Sequence, residues 1–160
     1  MKRLLAILFA AASLAFSAGV ASAATSSAGL MVQVTAVAAC DMTTNPVNFP
    51  TYASYQAGDN TAQGGINVAC PNGVYYSLSM DGGYNFSTNP RMSNGLSSYL
   101  NYGLYSDAGY YTPMTSTYFA NNIAGTGSNQ NYPVYGKLFA GQYADTTYPN
   151  YWDYVTVTIT

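Results

Sequence analysis

Beyond residue 23, the sequence contains no helical periodicity; apolar and polar side chains instead alternate in short runs that are separated by turn residues. The clearest run is the last one, where Val155, Val157 and Ile159 alternate with threonines. A period of two places every second side chain on the same face of a strand. The pattern therefore predicts an all-β fold whose strands have one face toward a core and one toward solvent.

Turn sequences such as Pro71-Asn72-Gly73 and Asn94-Gly95 divide these runs. The predicted strands span residues 30–36, 66–70, 75–80, 91–93, 99–105, 134–140 and 154–160, with one weak strand expected in the loop-rich stretch 107–131. About six or seven short strands over this length are typical of an immunoglobulin-like β-sandwich. A closed β-barrel is the alternative.

The segment 1–23 has the features of a cleaved signal peptide. Lys2 and Arg3 form a basic start, residues 4–16 are apolar, and Ala21-Ser22-Ala23 supplies the small residues that signal peptidase requires. A membrane anchor is the alternative, but an apolar run of about 13 residues is shorter than the ~20 that span a bilayer. We therefore expect export, no membrane insertion, and one mature domain after the cleavage site.

The remaining chain carries very little charge. Arg91 and Lys137 are set against six aspartates, whereas a protein that binds nucleic acid needs clustered cations to displace counterions from phosphates. The composition therefore excludes nucleic acid as a partner. A surface of hydroxyl, amide and glycine groups also lacks the charge repulsion that keeps protein copies apart, which favours self-association.

Cys40 and Cys70 are the two cysteines of the chain, and both follow the predicted signal peptide. An oxidising compartment favours their pairing, and closing a loop of about 30 residues stabilises a fold by roughly 3–4 kcal/mol in the chain-entropy model. Free thiols or a metal site are the alternatives. The sequence has no histidine to complete a metal shell, so we predict a structural disulfide, no metal and no cofactor.

Catalysis is disfavoured by the residues that the sequence lacks. With no histidine and no glutamate, histidine-based triads and mixed Glu/Asp acid–base pairs are unavailable. Paired aspartates can serve a glycosidase, yet Asp59, Asp81 and Asp107 lie in turn sequences where aspartate bonds to the backbone. We predict that the protein is not an enzyme. Its 17 tyrosines fit either a half-buried sheet face or a sugar-stacking surface.

The last predicted strand, 154–160, ends the sequence without a turn or polar tail after it. A strand at the edge of a sheet leaves backbone donors and acceptors unpaired, and natural proteins normally cover such groups. We therefore expect another segment to lie beside Val155, Val157 and Ile159.

Several blocks of the sequence resemble one protein family, in the same order and over nearly the whole mature chain. They are Asn48-Phe49-Pro50-Thr51-Tyr52, similar to N-F-G-x-Y; Ile66-Asn67-Val68-Ala69-Cys70, similar to I-x-V-x-C; Arg91-Met92 and 99–107, similar to R-x-M and Y-L-N-Y-x-L-Y-x-D; 132–137 with Gln142 after it, similar to V-Y-G-R/K; and 151–158, similar to Y-x-D-x-V-x-V-T. The family is the spore coat protein U domain family, which includes the major subunits of archaic chaperone–usher pili.

The resemblance implies an immunoglobulin-like sandwich over residues 40–160 that lacks its final strand. A periplasmic chaperone fills the gap first, and the N-terminal strand of the next subunit then replaces it. The donor segment is 24–39, and the accepting edge is Val155, Val157 and Ile159. The donated side chains are Leu30, Val32, Val34 and Ala36, or Met31 and Val37 if the other face is inserted.

The resemblance therefore implies a structural subunit of a bacterial surface fibre or coat, exported through the periplasm to the cell surface as a pilus, a biofilm fibre or a spore coat. Its expected partners are further copies of itself, a periplasmic chaperone and an outer-membrane usher. The alternative function is a secreted, monomeric carbohydrate-binding or adhesin module with a complete β-sandwich.

Overall fold

The computed structural model describes residues 31, 33–34, 39–114 and 118–160, and within these ranges the regular structure is entirely β. Eight strands follow one another along the chain: β1 (Asp41–Asn45), β2 (Asn60–Ala69), β3 (Tyr75–Met80), β4 (Arg91–Ser93), β5 (Tyr99–Tyr105), β6 (Ala120–Ala124), β7 (Asn129–Leu138) and β8 (Val157–Ile159). The all-β class predicted from the alternation is confirmed. The described ranges contain no helix with the length and hydropathy needed to cross a membrane.

The strands form two separate antiparallel sheets. The five-stranded sheet has the order β1-β2-β7-β5-β4, and the three-stranded sheet has the order β6-β3-β8. Among the described strands, each outermost strand pairs with one neighbouring strand, and β4 also forms an isolated bridge from Ser93 to Trp152. The described strands therefore make a sandwich with open edges and not a closed barrel. β8 is such an edge strand, because among the described strands it pairs with β3 alone.

The predicted strand positions agree in the middle of the chain and differ in the later strands, where β7 begins at Asn129 instead of residue 134 and β8 is limited to Val157–Ile159 within the predicted 154–160. β3, β4 and β5 have the predicted bounds. β2 begins at Asn60 rather than at residue 66, because the polar and glycine-containing stretch before Ile66 pairs with β7 along its whole length. β6 lies in the loop-rich stretch for which the sequence predicts a weak strand.

β1 is a strand that the alternation does not predict. Only Met42 of its five residues is half-buried, and the other four are exposed. Pairing with β2 over its full length holds it in place, beside the disulfide that joins Cys40 to Cys70, whose Cα atoms are 4.3 Å apart. The predicted disulfide is confirmed, and backbone pairing rather than side-chain burial defines this strand.

The inner faces of the two sheets form a core in two adjoining clusters. Ile66 and Leu78 belong to the first cluster, and Leu100 and Leu138 to the second. Each is no more than 2% exposed, and burying a side chain of this size stabilises the fold by ~1.5–3 kcal/mol. Val155 packs against both clusters, so the chain that leads into β8 lies where the two parts of the core meet.

Candidate binding groove between the sheets

A groove of about 960 Å³ opens between the two sheets. One wall is the end of β1 and the chain after it, residues 44–52, and the other comes from residues between 144 and 157, which lead into β8. The floor consists of core side chains from both sheets: Ile66, Met80, Leu100, Leu104, Val134 and Leu138. Protein interiors are normally close-packed, so a groove that reaches the inner faces of both sheets is a place where a further segment fits.

Within the part of the chain that the structure describes, the backbone of β8 is paired on one side and open on the other. Thr160, directly after β8, exchanges both backbone hydrogen bonds with Ser77 of β3, at 2.8 and 3.0 Å. Backbone groups alternate in direction along a strand, so the N–H and C=O groups of the odd-numbered residues within 155–159 point to the open side. These groups are available to a strand that is added there.

The three predicted acceptor residues face the interior. Val155, Val157 and Ile159 are half-buried and pack against the core, whereas the threonines between them are exposed. Val155 and Val157 line the groove. Ile159 pairs with Leu78 and lies beyond the groove lining. Val155 and Val157 therefore have side chains that face the groove and backbone groups that face the open side. The role of the three residues as acceptors stays a prediction.

Two glycines let the opposite wall lie close to the five-stranded sheet. A Cβ atom at Gly136 would lie 2.5 Å from Val47 Cγ1 and 2.8 Å from Phe49 Cζ, and one at Gly64 would lie 2.8 Å from Val47 Cγ2. Carbon atoms do not approach so closely, so Val47 and Phe49 can occupy these positions over β2 and β7 only because both residues beneath them are glycine. The position of this wall depends on Gly64 and Gly136.

Asp153 fixes the chain where it enters the open edge. Its Oδ2 accepts a hydrogen bond from the hydroxyl of Tyr102 at 2.7 Å, and its Oδ1 accepts one from the backbone amide of Asn85 at 2.9 Å. Tyr102 is 4% exposed; its burial, and then its bond to Asp153, raise the pKa of the hydroxyl. The hydroxyl therefore remains a protonated donor, and it ties the edge segment to β5 in the other sheet.

Asp81, the residue directly after β3, binds the chain that leads into β8. Its Oδ1 accepts hydrogen bonds from the amides of Thr156 at 2.9 Å and Gly83 at 3.0 Å. Burial acts to raise the pKa of Asp81, but these amide bonds outweigh it and hold the pKa below the ordinary value. The ionised carboxylate thereby fixes the backbone of Thr156, between two groove-lining valines.

Gln142 joins the first wall to the five-stranded sheet. Its Oε1 accepts from the amide of Asn101 at 2.7 Å, and its Nε2 donates to the carbonyl of the same residue at 2.9 Å. The backbone amide of Gln142 donates to the hydroxyl of Tyr52 at 2.9 Å. One side chain and its own amide therefore connect β5 to the end of the 44–52 segment.

Tyr102, Gln142 and Asp153 lie inside the sequence blocks that resemble the family, but sequence reasoning gave them no role. For Asp153, the sequence does contain a pattern from which its role could have been predicted. The alternation that puts Val155 and Val157 inward also puts Asp153 inward, and a carboxylate on an apolar face requires a buried donor. No comparable pattern in the sequence points to Gln142, which acts through a loop.

Three of the four predicted donor residues, Leu30, Val32 and Ala36, lie outside the described residues. Val34 is described and is 88% exposed. The donor segment 24–39 and the signal peptide 1–23 therefore stay predictions.

The groove suits an extended, apolar segment. Asp145 and Asp153 are the charged residues among those that line it, and Asp153 is already engaged by Tyr102 and Asn85. An added strand can pair with the open backbone of 155–159 while every second side chain enters the apolar floor. In the part of the chain that the structure describes, no three acidic or cysteine side chains are grouped as a metal site would require.

An antiparallel two-sheet sandwich with this strand order belongs to the immunoglobulin-like class, as the sequence predicted. Residues 25–158 match the family model of the Spore Coat Protein U domain. The chain therefore belongs to this family, and the resemblance seen in its sequence blocks is confirmed.

A solved structure shares the fold. It is the crystal structure of the CsuC-CsuE chaperone–tip adhesion subunit pre-assembly complex from the archaic chaperone-usher Csu pili of Acinetobacter baumannii, which the chain matches with a TM-score of 0.60 and 22% sequence identity. The match covers 78% of this chain but 40% of that one, so the present chain spans less than half of its neighbour. No curated protein sequence matches the chain.

Proposed function

We propose that this protein is a structural subunit of a bacterial surface fibre or coat, and that its copies join by strand addition. The observation that carries the proposal is the groove, which presents apolar side chains of both sheets beside the open backbone of residues 155–159. A neighbouring copy fills the groove with its segment 24–39. The inserted side chains are Leu30, Val32, Val34 and Ala36. Backbone pairing supplies affinity, and the alternating side chains supply register.

The energetics favour a long-lived contact. Burying three or four apolar side chains contributes roughly 5–10 kcal/mol, and each hydrogen bond of the new ladder adds about 0.5–1.5 kcal/mol. Association itself costs at least ~4 kcal/mol. Because the donor segment and the groove are different surfaces, each contact is head-to-tail, and repetition gives an open filament or sheet instead of a closed ring.

The same groove explains the need for partners during export. A subunit that crosses the inner membrane with the signal peptide 1–23 arrives in the periplasm with apolar core side chains open to water, which invites aggregation. A periplasmic chaperone covers the groove, and an outer-membrane usher replaces the chaperone with the next copy at the cell surface. Membership of the family supports this assignment, as does a structural neighbour that is a chaperone–subunit complex by its own description.

Size-exclusion chromatography tests the proposal on the mature chain 24–160 and on a chain that lacks residues 24–38. The mature chain is expected to form heterogeneous oligomers. The shortened chain, which has a groove but no donor, is expected to stay unassembled and to bind a synthetic peptide of residues 24–39 in a 1:1 ratio. An excess of the same peptide is expected to convert the mature chain into single, capped copies.

The alternative carbohydrate-binding module predicts a different result. A complete domain would elute as a stable monomer with or without residues 24–38, and it would not bind the peptide. That outcome would overturn the proposed assembly.

A further inference from the structure

Three aromatic side chains form an exposed cluster at the start of the open edge. Tyr84, Trp152 and Tyr154 are 77%, 45% and 75% exposed. The rings of Tyr84 and Trp152 stack at 24° with centroids 6.2 Å apart, and those of Trp152 and Tyr154 lie 5.5 Å apart. We call these three residues the aromatic cluster. Contiguous exposed aromatic surface of this kind commonly marks an interaction site.

The aromatic cluster is fixed to the five-stranded sheet through Trp152 and is held together by a backbone hydrogen bond between its two tyrosines. Trp152 exchanges backbone hydrogen bonds with Ser93 of β4, both at 3.0 Å, and the amide of Tyr84 donates to the carbonyl of Tyr154 at 2.8 Å. Trp152 and Tyr154 also belong to the lining of the groove. The cluster is therefore a preorganised surface that continues directly from the groove.

Strand direction determines which part of an inserted donor comes near this cluster. Every strand pairing in the described part of the chain is antiparallel, and a strand added beside β8 in a sandwich of this type has the same sense. The C-terminal end of the donor then lies beside the residues that precede β8. Those residues include Trp152 and Tyr154.

The donor is joined to its own domain by a short connection. From Ala36, the last inserted side chain, to Cys40, whose disulfide anchors the domain of the same copy, the chain has four steps and spans at most about 14 Å. A domain of roughly 120 residues has a radius of gyration of about 14 Å. Two such domains cannot be held apart by this connection, so the neighbouring domain must contact the accepting subunit at the end of the groove where the donor leaves.

We propose that the aromatic cluster is the surface on which the domain of the neighbouring copy packs, with the chain around its Cys40 against Tyr84, Trp152 and Tyr154. This inference rests on the proposed strand addition and adds a second, domain-to-domain contact to it. The rings of Tyr84 and Tyr154 both contact the ring of Trp152 in one compact patch, which suits a protein surface better than a row of separate sugar rings. Trp152 is the centre of the patch, because both tyrosines contact it.

Trp152 is the single tryptophan of the sequence, so its fluorescence reports on this surface alone. We compare quenching by acrylamide in the assembled mature chain and in the same chain capped by excess peptide 24–39. The peptide fills the groove but brings no neighbouring domain. The assembled chain is expected to show a quenching constant at least threefold lower than the capped chain, together with an emission shift to shorter wavelength.

Equal quenching in the assembled and capped chains would overturn the inference and leave strand addition intact. A Trp152 that stays exposed in the polymer and whose emission responds to a soluble polysaccharide would assign the cluster to sugar binding and would also overturn it. A mature chain that forms no polymer would overturn the proposed function itself, and the inference with it.

The variant Tyr84→Ser separates this contact from the groove, because Tyr84 belongs to the aromatic cluster but not to the groove lining. It is expected to polymerise, but its polymer should come apart at a lower urea concentration than the wild type. The unfolding midpoint of its peptide-capped form should not change. Tyr111→Ser, which alters a tyrosine that is 87% exposed and outside the cluster, is the matched control and should affect neither midpoint. A Tyr84→Ser variant with wild-type polymer stability would overturn the inference.

Discussion

The hydroxyl of Tyr102 donates to Asp153 Oδ2 at 2.7 Å, and this bond joins the two sheets at the point where the open edge begins. Tyr102 is buried with Leu100 in the core of the five-stranded sheet, while Asp153 precedes Val155 at the groove. A carboxylate at an inward position is stable only with donors beside it. The groove wall that contains Val155 and Val157 is thus positioned by a side-chain hydrogen bond as well as by burial.

Replacing Tyr102 by phenylalanine removes that donor and keeps the ring. The free energy of unfolding is expected to fall by about 1–3 kcal/mol, because Asp153 keeps its carboxylate and loses a partner. Urea denaturation of peptide-capped single copies measures the change. Tyr143→Phe, at a tyrosine that is 57% exposed, serves as the control and should stay within about 0.5 kcal/mol of the wild type. Equal stability of the two variants would contradict the role given to this bond.

Gly136→Ala tests the other wall of the groove. The new Cβ would lie 2.5 Å from Val47 Cγ1, so the 44–52 segment must move outward, at a cost of roughly 1–3 kcal/mol. We expect a lower unfolding midpoint and at least tenfold weaker binding of the peptide 24–39, measured by isothermal titration calorimetry. Gly58→Ala makes the same change where no atom lies within 4 Å, and it should leave the affinity unchanged. An unaltered affinity in Gly136→Ala would show that this wall does not shape the groove.

The sequence predicts the fold class and most of the sheet because alternation and turn residues are local signals. β3, β5 and the inward side chains of the last strand follow from them directly. The same logic fails for β1, where four of five residues are exposed. β1 is a strand because the Cys40–Cys70 disulfide and pairing with β2 hold its backbone. Neither effect requires apolar residues in β1, so neither can be recognised from an apolar pattern.

The groove is predictable in part. The inward valines before and within β8 define one wall from sequence alone. The other wall depends on Gly64 and Gly136, which look like ordinary interruptions of strands until Val47 and Phe49 are placed over them. Contacts such as these join residues far apart in sequence, so they become visible only when the strand register is known.

Acid is expected to weaken the fold through its aspartates. The pKa values of Asp59, Asp81 and Asp107 are all lowered: for Asp59 by the amide of Ala140 and then Lys137, and for Asp81 and Asp107 by amide bonds that outweigh burial. A carboxyl whose pKa is lower in the folded state contributes stability that is present above its unfolded pKa, near 4, and is lost as the pH falls below it.

The urea midpoint should therefore be constant from about pH 7 to 5 and fall progressively between about pH 4 and 2. Asp81→Asn should lower the midpoint at pH 7 and make the decline at low pH shallower, because one of the three groups no longer titrates. A midpoint that rises on acidification, or an Asp81→Asn variant with an unchanged slope, would contradict this account of Asp81.

Val34→Arg is expected to abolish polymerisation, because an inserted charge would be buried without a partner in a groove that is largely apolar. The groove of the same variant is unaltered, so it should still bind the wild-type peptide 24–39 and its chaperone. Light scattering and peptide titration measure the two properties separately. Recovery of normal polymers from Val34→Arg would contradict its assignment as an inserted residue.

Gln33→Arg is the matched change on the alternate face of the donor. If Leu30, Val32, Val34 and Ala36 enter the groove, this arginine points to solvent and polymerisation proceeds at the wild-type rate. If Met31 and Val37 are inserted instead, the two outcomes exchange, because a strand that shifts by one residue presents its other face. The two variants together therefore identify which face of the donor strand is inserted into the groove. Polymerisation of both variants would mean that the segment 24–39 is not the donor.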